Sequence, residues 1–279
     1  MKYQLLDTGN RQKLEQIGKY RLIRPALNAF WEPTLPQSEW NEAVGTFTRD
    51  ASGGGSWDWR QKLPESWIAE WGGFKLKVKA TNFGHLGFFA EQHNNWDWFR
   101  KVIPQIKGEV STLNLFAYSG VGSMAMAEAG AKVTHLDAAR GMNDWGRENQ
   151  NINDKVPDSI RWIDDDVQKF VAREIRRGNK YNGIALDPPT FGRGSKGQVW
   201  KIEQHLFELL KSCRELKDDS KDFFIVLSCH SPGYSPMVLE RMLVDIFGKG
   251  EAASGEMTIP ESSGKLLTAG NSARLLITK

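Results

Sequence analysis

Cysteine is scarce. The 279-residue chain carries two, Cys213 and Cys229, too few for a disulfide framework and without the spacing of a metal cluster. Long apolar runs and an apolar leader are missing too, so neither a membrane span nor export is expected, and the cytoplasm is the expected location. Charge is nearly balanced: 37 Lys and Arg against 34 Asp and Glu leave a formal net charge of +3. That permits an anionic partner such as nucleic acid without pointing to one. Internal repeats and low-complexity tracts are absent, and "SGGGS" at 52–56 reads only as a flexible hairpin tip. What these absences leave is a globular chain, 40% hydrophobic and 25% charged, long enough for one large or two modest domains.

From about Gly108 onward, strand and helix signals alternate as in a parallel α/β sheet. Leu113–Phe116, Lys132–Leu136, Arg161–Ile163, Tyr181–Leu186 and Phe223–Ser228 are short apolar runs separated by segments of helical period. In "KIEQHLFELLKSCREL", Ile202, Leu206, Leu209, Leu210, Cys213 and Leu216 share one helical face, which makes Cys213 a core residue. After a helix around Met237–Phe247, "ASGEMTIP" and "ARLLITK" read as a terminal hairpin. The first hundred residues differ, with short β-type pieces such as "YRLIRP" and "FKLKVKA" and frequent turns. The expectation is therefore a β-rich domain over 1–107 that recognises the acceptor, with Lys75, Lys77 and Lys79 as backbone contacts, and an α/β domain over 108–279. Trp57, Trp59, Trp67, Trp71, Trp96 and Trp98 are expected to build the small domain's core, with a base-stacking face as the alternative.

The stretch "LNLFAYSGVGSMAMAEAGAKVTHLD" carries the first chemistry. Gly120, Gly122 and Ala125 fit G-x-G-x-x-A, and Asp137 closes the next strand, a pattern that serves either a nicotinamide dinucleotide or S-adenosylmethionine. Glycines let backbone approach a ligand, the helix start offers unpaired N–H groups, and a carboxylate accepts ribose hydroxyls. Further on, the fourth strand runs into "DPPTFG". A rigid carbonyl-lined edge from Asp187, Pro188 and Pro189 beside the ring of Phe191 suits methylation of a planar base, whereas a dehydrogenase sheet has no general need of it. Asp165 and Asp166, after the third strand, could accept from an adenine amino group or cap a helix. Arg193 and Lys196 in the next loop could touch a phosphate or simply be solvated.

Together these motifs resemble the class I S-adenosylmethionine-dependent methyltransferases of the RlmI/RlmK-like group, enzymes of bacterial large-subunit ribosomal RNA. The resemblance runs from "HLGFFAEQHNNW" through the glycine loop, "DDDV" and "LDPPTFG" to "FIVLSCHS". It implies a Rossmann-like class I methyltransferase sheet with a terminal hairpin and a smaller N-terminal β-rich domain. The cofactor it implies is S-adenosylmethionine, held by Phe89, Gln92, Phe116, Tyr118, Ser119, Gly120, Gly122, Asp137, Ala138, Asp165, Asp166, Val167 and Asp187. Within that set Asp137 would take the ribose, Asp166 the adenine, and Asp187 the region of the transferred methyl. RNA, ribosomal RNA in particular, is the implied partner, with no metal and no membrane; self-association is left open. The target would be guanine N7 or cytosine C5. Cytosine-methylating relatives carry Cys-Ser-Cys-Ser after the fifth strand, where this chain has "SCHS", so Cys229 is either a nucleophile or a buried core thiol. The alternatives are a methyltransferase acting on a protein or small molecule, and a non-catalytic RNA-binding protein that keeps the fold.

Overall fold

Period-two burial organises the start of the chain. The computed structural model describes residues 2–50, 54–193 and 197–279. Its first compact unit, Met1–His93 with Thr258–Ala269, contains β1 (Tyr3–Gly9), β2 (Gln12–Ile17), β3 (Tyr20–Pro25), the single-turn helix α1 (Gln37–Trp40), β4 (Gly45–Arg49) and β5 (Gly55–Trp59). These strands form one sheet in chain order, antiparallel except for the β3–β4 pair. A separate hairpin joins β6 (Trp67–Trp71) to β7 (Phe74–Val78). Tyr3, Leu5, Leu14, Ile17, Leu22, Phe47 and Leu76 are among the buried side chains here.

Trp57, Trp59, Trp67 and Trp71 do not build that core, whereas Trp40 packs with Leu14, Ile23 and Ala43, and Trp96 is buried outside this unit. Trp57, Trp67 and Trp71 are half-buried, their indole N–H groups donating to the carbonyls of Thr81, Ile17 and Ala90. Trp59 stacks on Trp57 at 4.5 Å between ring centroids. An indole whose N–H must find an acceptor sits more easily at the rim of a small core than at its centre. Lys75 and Lys77 alternate along β7 with the buried Phe74, Leu76 and Val78, so they lie on the hairpin's outer face, with Lys75 in register with Glu70.

The second unit, Asn94–Met257 with Gly270–Lys279, takes in α2 (His93–Val102), β8 (Ser111–Leu115), α3 (Val121–Glu128), β9 (Lys132–Asp137), α4 (Arg140–Asn151), β10 (Ile160–Asp164) and α5 (Val167–Arg176). It continues with β11 (Gly183–Leu186), β12 (Phe191–Arg193), β13 (Val199–Lys201), α6 (Ile202–Glu215), β14 (Phe223–Cys229), α7 (Pro236–Phe247), β15 (Glu251–Pro260) and β16 (Leu266–Ile277). The strand order is β10-β9-β8-β11-β14-β16-β15. From β10 to β14 neighbours are parallel, and β16 returns antiparallel to β14. The chain winds outward from β8 through β9 to β10, then crosses to β11 on the other side. The topological switch point therefore lies between β8 and β11, where open α/β sheets form their ligand crevice.

This is the expected Rossmann-like sheet with its terminal hairpin, and the N-terminal region is β-rich as expected. Burial on the α6 face matches the expected stripe, Cys213 included. Three details differ. Compactness divides the chain after His93 rather than near 107, and Thr258–Ala269 counts with the first unit, where Ser262 N donates to Leu5 O at 2.8 Å. The last strand begins at Leu266, well before "ARLLITK". The segment after "DPPT" forms the β12–β13 hairpin, Phe191 in register with Lys201. Among the described residues no helix is long and apolar enough to cross a membrane.

Candidate functional site

Strand β8 ends at Leu115 because the next residues leave β space: Phe116 (φ 55°), Tyr118 (φ 52°) and Gly120 (φ 85°) are all left-handed. For a non-glycine residue that conformation costs of order 1–3 kcal/mol, and such strain persists only where surrounding bonds impose it. Here Ala117 N donates to Leu136 O, Tyr118 N to Asp137 Oδ2, and Gly120 N to Ala117 O, at 3.0–3.2 Å. Below the loop, a Cβ on Gly120 would stand 2.6 Å from the Trp162 ring and one on Gly146 2.3 Å from it. Those two glycines are required by the protein itself. Gly146→Ala should therefore destabilise the fold by about 1–3 kcal/mol, read as a lower thermal midpoint; an unchanged midpoint would show that Trp162 can move aside. Gly122 is different, since a Cβ there meets nothing closer than Asn114 Nδ2 at 3.4 Å. The start of α3 is thus open to a ligand, and its first N–H groups are available.

Asp137 closes β9 opposite Asp164 at the end of β10. Its Oδ1 accepts from Ala139 N at 2.9 Å and its Oδ2 from Tyr118 N at 3.0 Å. Burial pushes its pKa up, partly offset by those two donors, and Asp164 pushes in the same direction as burial. A carboxylate has about four acceptor positions, so two remain for hydroxyls. Ala138, beside it, is exposed. Asn143 on α4, which the sequence reading missed, donates to Asp137 O, Ile163 O and the Asp164 carboxylate, tying the ends of β9 and β10 together. It is fully buried on the inner face of α4, a placement that only the fold reveals. Behind the loop, Asn114 Nδ2 donates to Ser123 Oγ, which lies 2.9 Å from His135 Nδ1. Burial pushes His135 down to about 3. A neutral imidazole thereby locks α3 onto β8 and β9.

The acidic pair after β10 has local tasks. Asp166 is the N-cap of α5, its Oδ1 accepting from Lys169 N at 3.0 Å, and Val167 behind it is buried. Asp165 accepts from Asp166 N at 2.8 Å and pairs with Arg173 at 2.6 Å. The capping alternative is thus realised.

At the end of β11, Asp187 is half-buried, its N–H donating to Leu115 O at 3.4 Å, which keeps it beside the root of the glycine loop. His230, immediately after β14, brings its Nε2 to 3.7 Å from Asp187 Oδ1. The register of β14 with β16 sets His230 opposite Gly270, where any Cβ would stand 2.7 Å from the imidazole Nδ1. Along the expected carbonyl edge, Pro189 O accepts from Trp200 Nε1 at 2.7 Å, and Thr190 Oγ1 is 2.6 Å from Ser231 Oγ. These bonds fix the Asp187-Pro188-Pro189 turn against β13 and β14, while Phe191 stays half exposed on β12. Phe116 packs against Trp200 at 4.8 Å. Cys229 is fully buried, its sulfur accepting from Ser231 N at 3.4 Å. Burial pushes the thiol up, partly offset by hydrogen bonds from Ser231, and Asp187 adds weakly to the upward push. A thiol so held is a poor nucleophile.

The carboxyl ends of β8, β9, β10, β11 and β14 thus gather Phe116, Tyr118, Ser119, Gly120, Gly122, Asp137, Ala138, Asp165, Asp166, Val167, Asp187, Pro188, Pro189, Phe191 and Cys229 along one edge. Phe89 and Gln92 belong to the first unit, where Gln92 N donates to Phe89 O at 3.2 Å. Lys196 lies outside the described residues. Among the described residues no group of three metal-ligating side chains forms.

Comparison with known proteins bears on this edge. A profile of the S-adenosylmethionine-dependent methyltransferases matches residues 51–226. The crystal structure of an S-adenosylmethionine-dependent methyltransferase from Agrobacterium tumefaciens is 36% identical, covers 99% of this chain and 90% of its own, and superposes with a TM-score of 0.91. A putative methyltransferase from Streptococcus mutans shares the fold at 15% identity, with a TM-score of 0.75 over 99% of this chain and 75% of its own. In sequence, the ribosomal RNA large subunit methyltransferase I of Aeromonas salmonicida is 30% identical over 152 residues, 54% of this chain and 35% of that protein. The chain therefore spans about a third of that relative's length.

Proposed function

The chain belongs to the S-adenosylmethionine-dependent methyltransferase family, and from that premise we propose that it methylates a base of ribosomal RNA. The cofactor fits the residues present. Gly122 leaves the start of α3 open to close approach, and Asp137 retains acceptor positions for two ribose hydroxyls. Phe116, Tyr118, Ser119 and Gly120 would line the loop side, and Ala138, Asp165, Asp166 and Val167 the adenine side. When bound, S-adenosylmethionine supplies an electrophilic methyl on a sulfonium. The chain's own task is then to align an acceptor atom and exclude water.

The observation that carries the nucleobase reading is the turn Asp187-Pro188-Pro189 at the switch point, fixed by Trp200 and Ser231 neighbours and followed by the exposed ring of Phe191. A flat, polar-edged ring that leaves its stack finds there a carboxylate for its edge and an aromatic face for its plane. The likeness to a large-subunit ribosomal RNA methyltransferase supports ribosomal RNA as the source of that base. Labelled methyl transfer from S-adenosylmethionine to ribosomal RNA, against protein and metabolite fractions, tests it. Label in RNA is expected; label confined to either other fraction would replace the substrate class.

Between the two expected targets, the Cys229 environment favours guanine N7, whose lone pair attacks the methyl without covalent help. Methylation at cytosine C5 would need a thiolate to add at C6, and burial opposes the thiolate. Cys229→Ala is accordingly expected to keep most of its methyl transfer to RNA. Abolished transfer with intact folding, together with an adduct trapped on 5-fluorocytosine RNA, would reverse the assignment.

A further inference from the structure

Leu27, Phe30 and Trp31 lie within five residues of one another and are 61%, 72% and 42% exposed. Exposure of three large apolar side chains in one short segment is unusual for a surface without a partner. The segment is also rigid. It is stitched to the β1–β2 turn by Asn10 N to Trp31 O and Arg11 N to Ala29 O, each at 2.7 Å, and by Ala26 N to Arg11 O at 2.8 Å. The turn residues themselves, Asn10 and Arg11, are left-handed at φ 51° and 62°. Trp31 Nε1 donates to Thr8 O and Thr8 Oγ1 at 3.1 and 3.0 Å, so the indole cannot swing inward.

Against this surface lies one cation. The Arg11 guanidinium sits 5.0 Å from the Phe30 ring centroid, and among the described residues no acid pairs with it. An exposed phenyl ring, an exposed indole edge and an uncompensated planar cation, all held in place before any partner arrives, are the parts of a base-stacking platform. Rings offer π faces to an unstacked base, the guanidinium stacks as well, and its N–H groups reach a phosphate. A neutral apolar partner would have no use for the arginine.

We infer that Arg11, Phe30 and Trp31 form a docking platform for single-stranded RNA, contacting a nucleotide of the acceptor other than the one that is methylated. The inference rests on the RNA reading of the catalytic edge. It assigns RNA binding in the first unit to this corner rather than to the lysines of β7.

The test is fluorescence anisotropy with a labelled single-stranded RNA dodecamer and a duplex of the same length, using the full chain and the variants Phe30→Ala, Arg11→Gln and Met237→Ala. Met237 is 79% exposed on α7 and serves as the control. Loss of one base–aromatic stack corresponds to roughly a five- to hundredfold weaker Kd. Phe30→Ala and Arg11→Gln should each weaken single-strand binding at least fivefold, leave duplex binding and S-adenosylmethionine affinity within twofold, and leave Met237→Ala like the parent. If the parent binds and methylates RNA while both variants bind single strands unchanged, the platform is wrong and the RNA reading stands. If the parent binds no RNA, both fall. A parent dimer in sedimentation that Phe30→Ala converts to monomer would also overturn the platform, giving the surface to a second copy.

Discussion

Asp187→Ala is expected to lower kcat for methyl transfer by about a hundredfold while S-adenosylmethionine affinity stays within about threefold. Asp187 leaves β11 at the switch point, beside the root of the glycine loop and 3.7 Å from His230 Nε2. On the proposed reading a carboxylate there would orient the acceptor, and misplacing a reacting atom by about 1 Å can cost about 10²-fold in rate. Because that interaction tightens only as the acceptor aligns, the loss belongs to kcat rather than to ground-state binding. Single-turnover kinetics with saturating cofactor measures it. Equal losses in cofactor affinity and kcat/KM with unchanged kcat would instead make Asp187 part of the cofactor wall.

The second large effect belongs to Asp137→Ala, which should weaken S-adenosylmethionine by about 1.5–3 kcal/mol, or roughly ten- to hundredfold in Kd. Two losses combine. The ribose hydroxyls lose a charged acceptor, and Tyr118 N and Ala139 N lose the oxygens that bind them at 3.0 and 2.9 Å. The strained residues Phe116 and Tyr118 are then less firmly imposed, so the loop itself should loosen. The pH dependence has a definite sign. Burial raises the pKa of Asp137, and only the ionised form offers both oxygens fully as acceptors. As pH falls, cofactor affinity should therefore decline earlier than an ordinary carboxylate would allow. Calorimetric titration at several pH values reads both effects; unchanged affinity in the variant would remove Asp137 from the site.

What the sequence made legible was local. Gly120 and Asp137 could be read because strand, turn, helix and next strand follow within twenty-five residues, and each carries its own period. Asp187 was legible because a Pro-Pro pair can end a strand but not continue it. Other features depend on contacts distant in sequence. Phe116 reads as a strand residue by its apolar side chain, yet the Leu136 and Asp137 bonds to Ala117 and Tyr118 turn the backbone left-handed. The β12–β13 hairpin has three residues per strand, too few for a period to register. Asp166 caps α5, and because an adenine acceptor would favour the same residue at the same place, the sequence alone does not separate the two uses. Asn143 carries no motif, and His230 lies in the quoted "SCHS" stretch without a role read for it. Each is identified by what it touches: two strand ends for Asn143, and Asp187 with Gly270 for His230.

Mass mapping of modified nucleosides tests the central claim most directly, using large-subunit ribosomal RNA from cells with and without this protein. One methylated base, 7-methylguanosine by the Cys229 environment, should disappear from a single position in the cells that lack it and return on expression of the parent chain but not of Asp187→Ala. Identical maps from both cells would contradict ribosomal RNA as the substrate.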